Sequence, residues 1–131
     1  MDSETPPDEQ ARLRRAYLEA IDTYETASIA MRQAMDDASA ALEILRRHVE
    51  SGRPAREIDR LVTPEPLRAQ LSAAAIDLER GRHAAQQFLF ALLVEEGMTM
   101  ADVGRMFGVS RSLVSRLVNE LNESTTHSHS E

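Results

Sequence analysis

TMADVGRMFGVSRSLVSRLVNELN, residues 99–122, is the stretch from which the local fold is read. Thr99 carries the hydroxyl of a helix N-cap, and Asp102 stands three residues on, in the capping-box position usually held by Glu or Gln. Val103 and Phe107 recur at helical spacing as core-facing residues. Gly104 is small where two helices must cross closely, although it gives up ~1 kcal/mol of helix propensity relative to Ala. Gly108 suits the left-handed conformation that ends a helix and opens a tight turn. Val109 then plugs the turn, and Ser110 caps the next helix, whose apolar face is Leu113 or Val114, Leu117 and Leu121. The spacing predicts two helices set at a steep angle by a turn of about three or four residues.

The second helix leaves one polar face: Arg111, Ser112, Ser115, Arg116 and Asn119. Arg bonds guanine O6 and N7 bidentately, Asn pairs with adenine, and Ser approaches bases or phosphates without clashing. Ser110 and Ser112, at the helix N-terminus, place backbone N–H groups where a phosphate can accept from them. Thr99 and Ser110 therefore join the five face residues as candidate contacts to double-stranded DNA.

The run Val-Ser-Arg-Ser-Leu-Val-Ser-Arg, residues 109–116, closely resembles the start of the recognition helix in helix-turn-helix transcriptional regulators, in sigma-factor region four and in resolvase-like domains. Residues 100–108, Met-Ala-Asp-Val-Gly-Arg-Met-Phe-Gly, are similar to the first helix of that motif. The resemblance covers about a fifth of the chain. It implies a tri-helical module, with residues 83–96 as supporting helix, that reads the major groove. Gly104 stands where Ala is commoner in the motif, and few basic residues flank it.

Upstream, no Pro or Gly interrupts the chain from Asp8 to about Ser51. A seven-residue repeat runs Tyr17, Tyr24, Met31, Ala38, Leu45, and a partner row runs Ile21, Ser28, Met35, Leu42, Val49, as in a coiled coil. The row Leu13, Ala20, Ala27, Ala34, Ala41 flanks them and widens the apolar face. Ser51-Gly52 and Pro54 stop this helix. A short connecting helix over residues 54–62 is expected to bury Ile58, Leu61 and Val62. Thr63-Pro64-Glu65 then opens a second long helix running to about Glu96. Its heptad rows are Leu71, Leu78, Ala85, Leu92 and Leu67, Ala74, Gly81, Phe88.

The expected fold is all-α: a long antiparallel coiled-coil helical hairpin followed by a C-terminal tri-helical helix-turn-helix. The expected divisions are an acidic, disordered tail at 1–9, the hairpin at 10–82, the helix-turn-helix at 83–122 and a second disordered tail at 123–131, the tails being too polar to offset their ordering entropy. Ile29, Ile44, Ile76, Phe90 and Val94 fall off the main seams. Pairing of two hairpins into a four-helix homodimer would cover many of them, although Phe90 and Val94 could instead close the C-terminal core. Met31, Met35, Met98, Met100 and Met106 read as core filling, and His48 and His83 as helix-surface residues.

Composition excludes several chemistries. The absence of Cys removes disulfides and thiolate catalysis. His127 and His129 lack convergent metal ligands, adjacent acids such as Asp36-Asp37 diverge by ~100° on a helix, and no catalytic triad or phosphate loop is present, so neither an enzyme nor a cofactor is expected. No apolar run approaches the ~20 residues that span a bilayer, and a cytoplasmic, nucleoid-associated location is expected. All fifteen basic residues are Arg, which suggests a GC-rich bacterial genome.

The net charge of −7 argues against a chain that coats nucleic acid indiscriminately. Six Arg against eleven acids leave residues 1–50 at −5, six against seven leave 51–96 at −1, and two acids leave 122–131 at −2. Only residues 97–121, with three Arg against two acids, are positive. The leading expectation is a dimeric, sequence-specific transcriptional regulator. The alternatives are a nucleoid, phage or plasmid DNA-organising protein of low sequence preference, and an adaptor that binds a protein partner of the transcription machinery.

Overall fold

The computed structural model describes residues 7–129, with side chains from 8 to 123. The chain is all-α. Helix α1 runs Pro7–Glu50, α2 Pro64–Glu95, α3 Met100–Phe107 and α4 Arg111–His129, with a short 3-10 helix at Ala55–Arg60, and the described residues contain no strand. None of the helices among the described residues is long and apolar enough to cross a membrane. The expected tails fall partly on residues 1–6 and 130–131, outside the described residues, while α1 already begins at Pro7 and α4 continues to His129.

The contacts group into two units. The central unit spans Tyr24–Arg80 and holds the later part of α1, the connection and the start of α2. Here the two arms run antiparallel, tied where Gln70 Nε2 donates to Asp37 Oδ2 at 3.0 Å. The terminal unit combines residues up to Thr23 with those from Gly81 onward.

Both rows expected on α2 turn inward, with Ala74, Gly81, Ala85 and Leu92 buried and Leu67, Leu71, Leu78 and Phe88 half-buried. On α1 the rows exchange roles. Leu13, Ala20, Ala27, Ala34 and Ala41 are buried, Tyr17, Tyr24, Met31, Ala38 and Leu45 are half-buried, and Met35, Leu42 and Val49 are 53%, 61% and 55% exposed. The row read as a flank is the inner seam, and the latter part of the row read as a partner faces out. Alanine explains the exchange, because a methyl side chain lets a neighbouring helix come close and the larger aliphatics are then turned aside.

The buried row continues for one more heptad, to His48, which is 6% exposed rather than on the surface. Its Nε2 lies 2.7 Å from the Pro54 carbonyl oxygen. A carbonyl only accepts, so Nε2 carries the proton and the buried ring is satisfied. The Ser51 hydroxyl donates to the His48 carbonyl at 2.7 Å, and Gly52, at φ 84°, takes the chain out of the helix.

The 3-10 helix buries none of its residues. Ile58 and Val62 are half-buried and Leu61 is exposed, since a piece this short covers little surface. At the other end of α1, Glu9 and Arg12 pair one turn apart, and the guanidinium hydrogen bond holds the Glu9 carboxyl below its ordinary value.

Candidate nucleic-acid interface

The terminal unit builds its core around Phe90, Val103, Val114, Leu117 and Val118, with Leu93, Val94, Met98, Met100, Val109 and Leu113 packed against it. Phe90 and Val94, which the heptads left unassigned, therefore close this core. Phe90 is fully buried and stacks at a tilt on Phe107, ring centroids 5.2 Å apart. Phe107 itself is 39% exposed, so only one side of it faces the core as expected. Met106 on the same turn is exposed, unlike the core filler the sequence suggested.

Within the same unit, a second cluster joins the start of α1 to α2 and α4. Leu13 is buried with Ala91 and Leu92, and Tyr17, Phe88 and Leu121 pack against them. Arg14 pairs with Glu96 across the same junction at 2.8 Å. Sequence reasoning placed Leu13 and Tyr17 on apolar rows but found no link to the C-terminal helices.

The turn between α3 and α4 is fixed by its backbone. Thr99 Oγ1 accepts from the Asp102 N–H at 3.1 Å and starts α3. The Asp102 carboxylate pairs with Arg105 instead of closing a capping box onto Thr99. Gly108 ends the helix in the left-handed region, φ 68°, and the Val109 N–H donates to the Gly104 carbonyl at 2.9 Å. Ser110 Oγ then accepts from the Leu113 N–H at 3.0 Å to start α4. Ser110→Ala should lower stability by about 1 kcal/mol, measured by urea unfolding, because that N–H loses its acceptor.

Helices α3 and α4 pack directly on each other. On α4, Val114, Leu117 and Val118 point inward, while Arg111, Ser112, Arg116 and Asn119 are exposed and Ser115 is half-buried. The structure thus gathers these five on one face of one helix, with Ser110 at its start. Thr99 is exposed at the start of α3. The Arg111 side chain has no hydrogen-bond or ion-pair partner among the described residues. Arg116 Nε lies 3.9 Å from Glu120 Oε2, and Asn119 Nδ2 donates to Ser115 Oγ at 3.3 Å.

One anchor escaped the sequence reading. Gln87, on α2, donates from Nε2 to the Leu117 carbonyl at 3.1 Å and stands 3.3 Å from Glu120 Oε1. A polar residue beside a heptad seam gives no sign in sequence that it will reach another helix's backbone.

A family model described as the MarR family, DNA-binding regulators with a helix-turn-helix, matches residues 84–124, about a third of the chain. Its bounds take in the end of α2, α3 and the first part of α4. It supports a C-terminal helix-turn-helix module, and it does not single out the sigma-factor or resolvase-like groups. Searches of curated proteins and of solved structures returned no match.

Proposed function

We propose that the chain is a sequence-specific transcriptional regulator that reads the major groove with the exposed face of α4. The observation that carries this reading is the capped, glycine-turned pair α3–α4, which presents Arg111, Ser112, Ser115, Arg116 and Asn119 together on one helix within the segment that the family model covers. Arg111 and Arg116 are the base-reading candidates. Ser110, Ser112 and Thr99 are the phosphate-facing ones, at helix starts where N–H groups and the dipole favour anions.

The acid-rich composition makes a single module a weak binder, since the counterion release that drives affinity comes from cations and residues 97–121 carry a net charge of only +1. A homodimer supplies two modules. The outward row Met35, Leu42 and Val49, together with exposed Ile29, Ile44 and Ile76, supports pairing through the helical arms. Two-fold pairing implies an inverted repeat with half-sites about 34 Å apart along B-DNA.

Selection of bound sequences from random DNA should recover such a repeat. Arg111→Ala with Arg116→Ala should weaken binding to the selected duplex by about 30-fold or more, since a bidentate pair between Arg and guanine is worth ~1 kcal/mol or more. Unchanged affinity in a folded double variant would reject α4 as the reading helix.

A further inference from the structure

The reading helix carries its own opposing charge. Glu120 follows Arg116 by four residues, so the two side chains share one side of α4, and Nε stands 3.9 Å from Oε2. The other Glu120 oxygen, Oε1, is 3.3 Å from Gln87 Nε2, and the same Gln87 amide donates to the Leu117 carbonyl at 3.1 Å. Glu120 is therefore engaged at both oxygens, by Arg116 within α4 and by α2 from outside it.

From this geometry we infer that Gln87 and Glu120 are positioning residues that hold Arg116 back from the DNA backbone and so trade general DNA affinity for sequence discrimination. The inference rests on α4 being the DNA-reading helix. Two physical effects act in the same direction. The Glu120 carboxylate repels phosphates beside the groove, and it competes with them for the Arg116 guanidinium. A phosphate contact is open to Arg116 on any sequence, whereas a bidentate base contact is open only on the right one. Favouring the second over the first raises the ratio of specific to non-specific binding. In a chain whose net charge is −7, one Arg kept from phosphates is a sizeable share of the module's three.

Gln87 gives the arrangement its fixed point. An exposed Arg–Glu pair on a helix contributes little by itself and samples many geometries. With Oε1 held by an amide that is itself bound to the Leu117 carbonyl, the carboxylate keeps one place relative to the helix backbone.

The test compares wild type, Glu120→Gln and Gln87→Leu on a short random-sequence duplex and on the duplex recovered by selection, across a salt series. Glu120→Gln keeps the side-chain shape and removes the charge. Gln87→Leu keeps the bulk and removes the donor. Both should raise affinity for random DNA, Glu120→Gln by about 3- to 10-fold, and steepen the salt dependence by about one unit of log K per log salt, the signature of one added phosphate contact. The selected duplex should gain less, so the specificity ratio falls. A merely structural role would change melting temperature and leave slope and ratio alone, and that result would overturn the inference.

The Arg116 Nε–H signal of the free protein, followed by NMR, separates the two layers. It should shift in both variants. If it shifts while selection with the wild type recovers no bound duplex and the random duplex is not bound, the DNA reading fails and the inference falls with it. If the wild type discriminates between the duplexes and the signal is unmoved by either substitution, the inference alone fails.

Discussion

Phe90→Ala is expected to destabilise the terminal unit by about 4 kcal/mol, the upper range for a single core truncation. Phe90 is fully buried, and Val103, Val114, Leu117 and Val118 complete the same core. The substitution removes a ring's worth of burial and leaves a cavity that α2, α3 and α4 would have to move together to close. It also removes the tilted stack on Phe107, worth ~1 kcal/mol by itself. Urea unfolding followed by circular dichroism should give an earlier midpoint, and DNA binding should be lost at temperatures where the wild type still binds. Phe90→Leu, which retains most of the volume, should lose less than half as much. A Phe90→Ala protein as stable as wild type would mean that this core is not what holds α3 and α4.

The second large effect is expected at Gly104. A Cβ placed there would lie 2.7 Å from the Val109 carbonyl oxygen and 3.4 Å from the Arg111 nitrogen, all backbone atoms of the turn. Side chains can swing aside, but a turn held by the Val109-to-Gly104 hydrogen bond and the Gly108 left-handed residue cannot do so without changing the angle between α3 and α4. Gly104→Val adds two further methyl groups at that crossing, and a loss of about 3 kcal/mol follows from overpacking against backbone. Gly104→Ala should lose less, since the ~1 kcal/mol gained in helix propensity offsets part of the strain. The Val variant should lose DNA affinity even under conditions where circular dichroism shows it fully helical, because the exposed face of α4 is re-aimed. If both variants match wild type in stability and binding, the close crossing at Gly104 is not required.

The sequence made the helix-turn-helix legible because each of its parts is local. Thr99 and Ser110 act on N–H groups three residues away, and Gly108 acts on its own φ. The helical arms were legible in class and poorly legible in facing. Heptad counting finds several adjacent apolar rows on α1, and choosing among them needs the neighbour's shape. The neighbour favours the Ala row, which a scale of side-chain hydrophobicity ranks below Met35 and Leu42. His48 was misplaced for a related reason. Its polarity suggested solvent, while the acceptor that satisfies it, the Pro54 carbonyl, comes from a turn whose path is not encoded in the helix pattern. Gln87 and the junction of Leu13 with Leu92 and Leu121 belong to the least legible class, since pairings between distant residues leave no periodic trace.

The junction at Leu13 also bears on the order in which the chain can fold. During synthesis α1 leaves the ribosome first, yet Leu13 and Tyr17 have their partners about 70 to 110 positions later, in α2 and at Leu121. The inward face at the start of α1 stays open to water and to other nascent chains until the end of α2 has emerged, and the terminal unit is not complete until α4 follows. The loop to be closed is long, though the entropy of closing it grows only as the logarithm of its length. Residues 1–50 meanwhile carry a net charge of −5, which repels copies of the same emerging segment and gives the lopsided charge of the chain a use before any DNA is met.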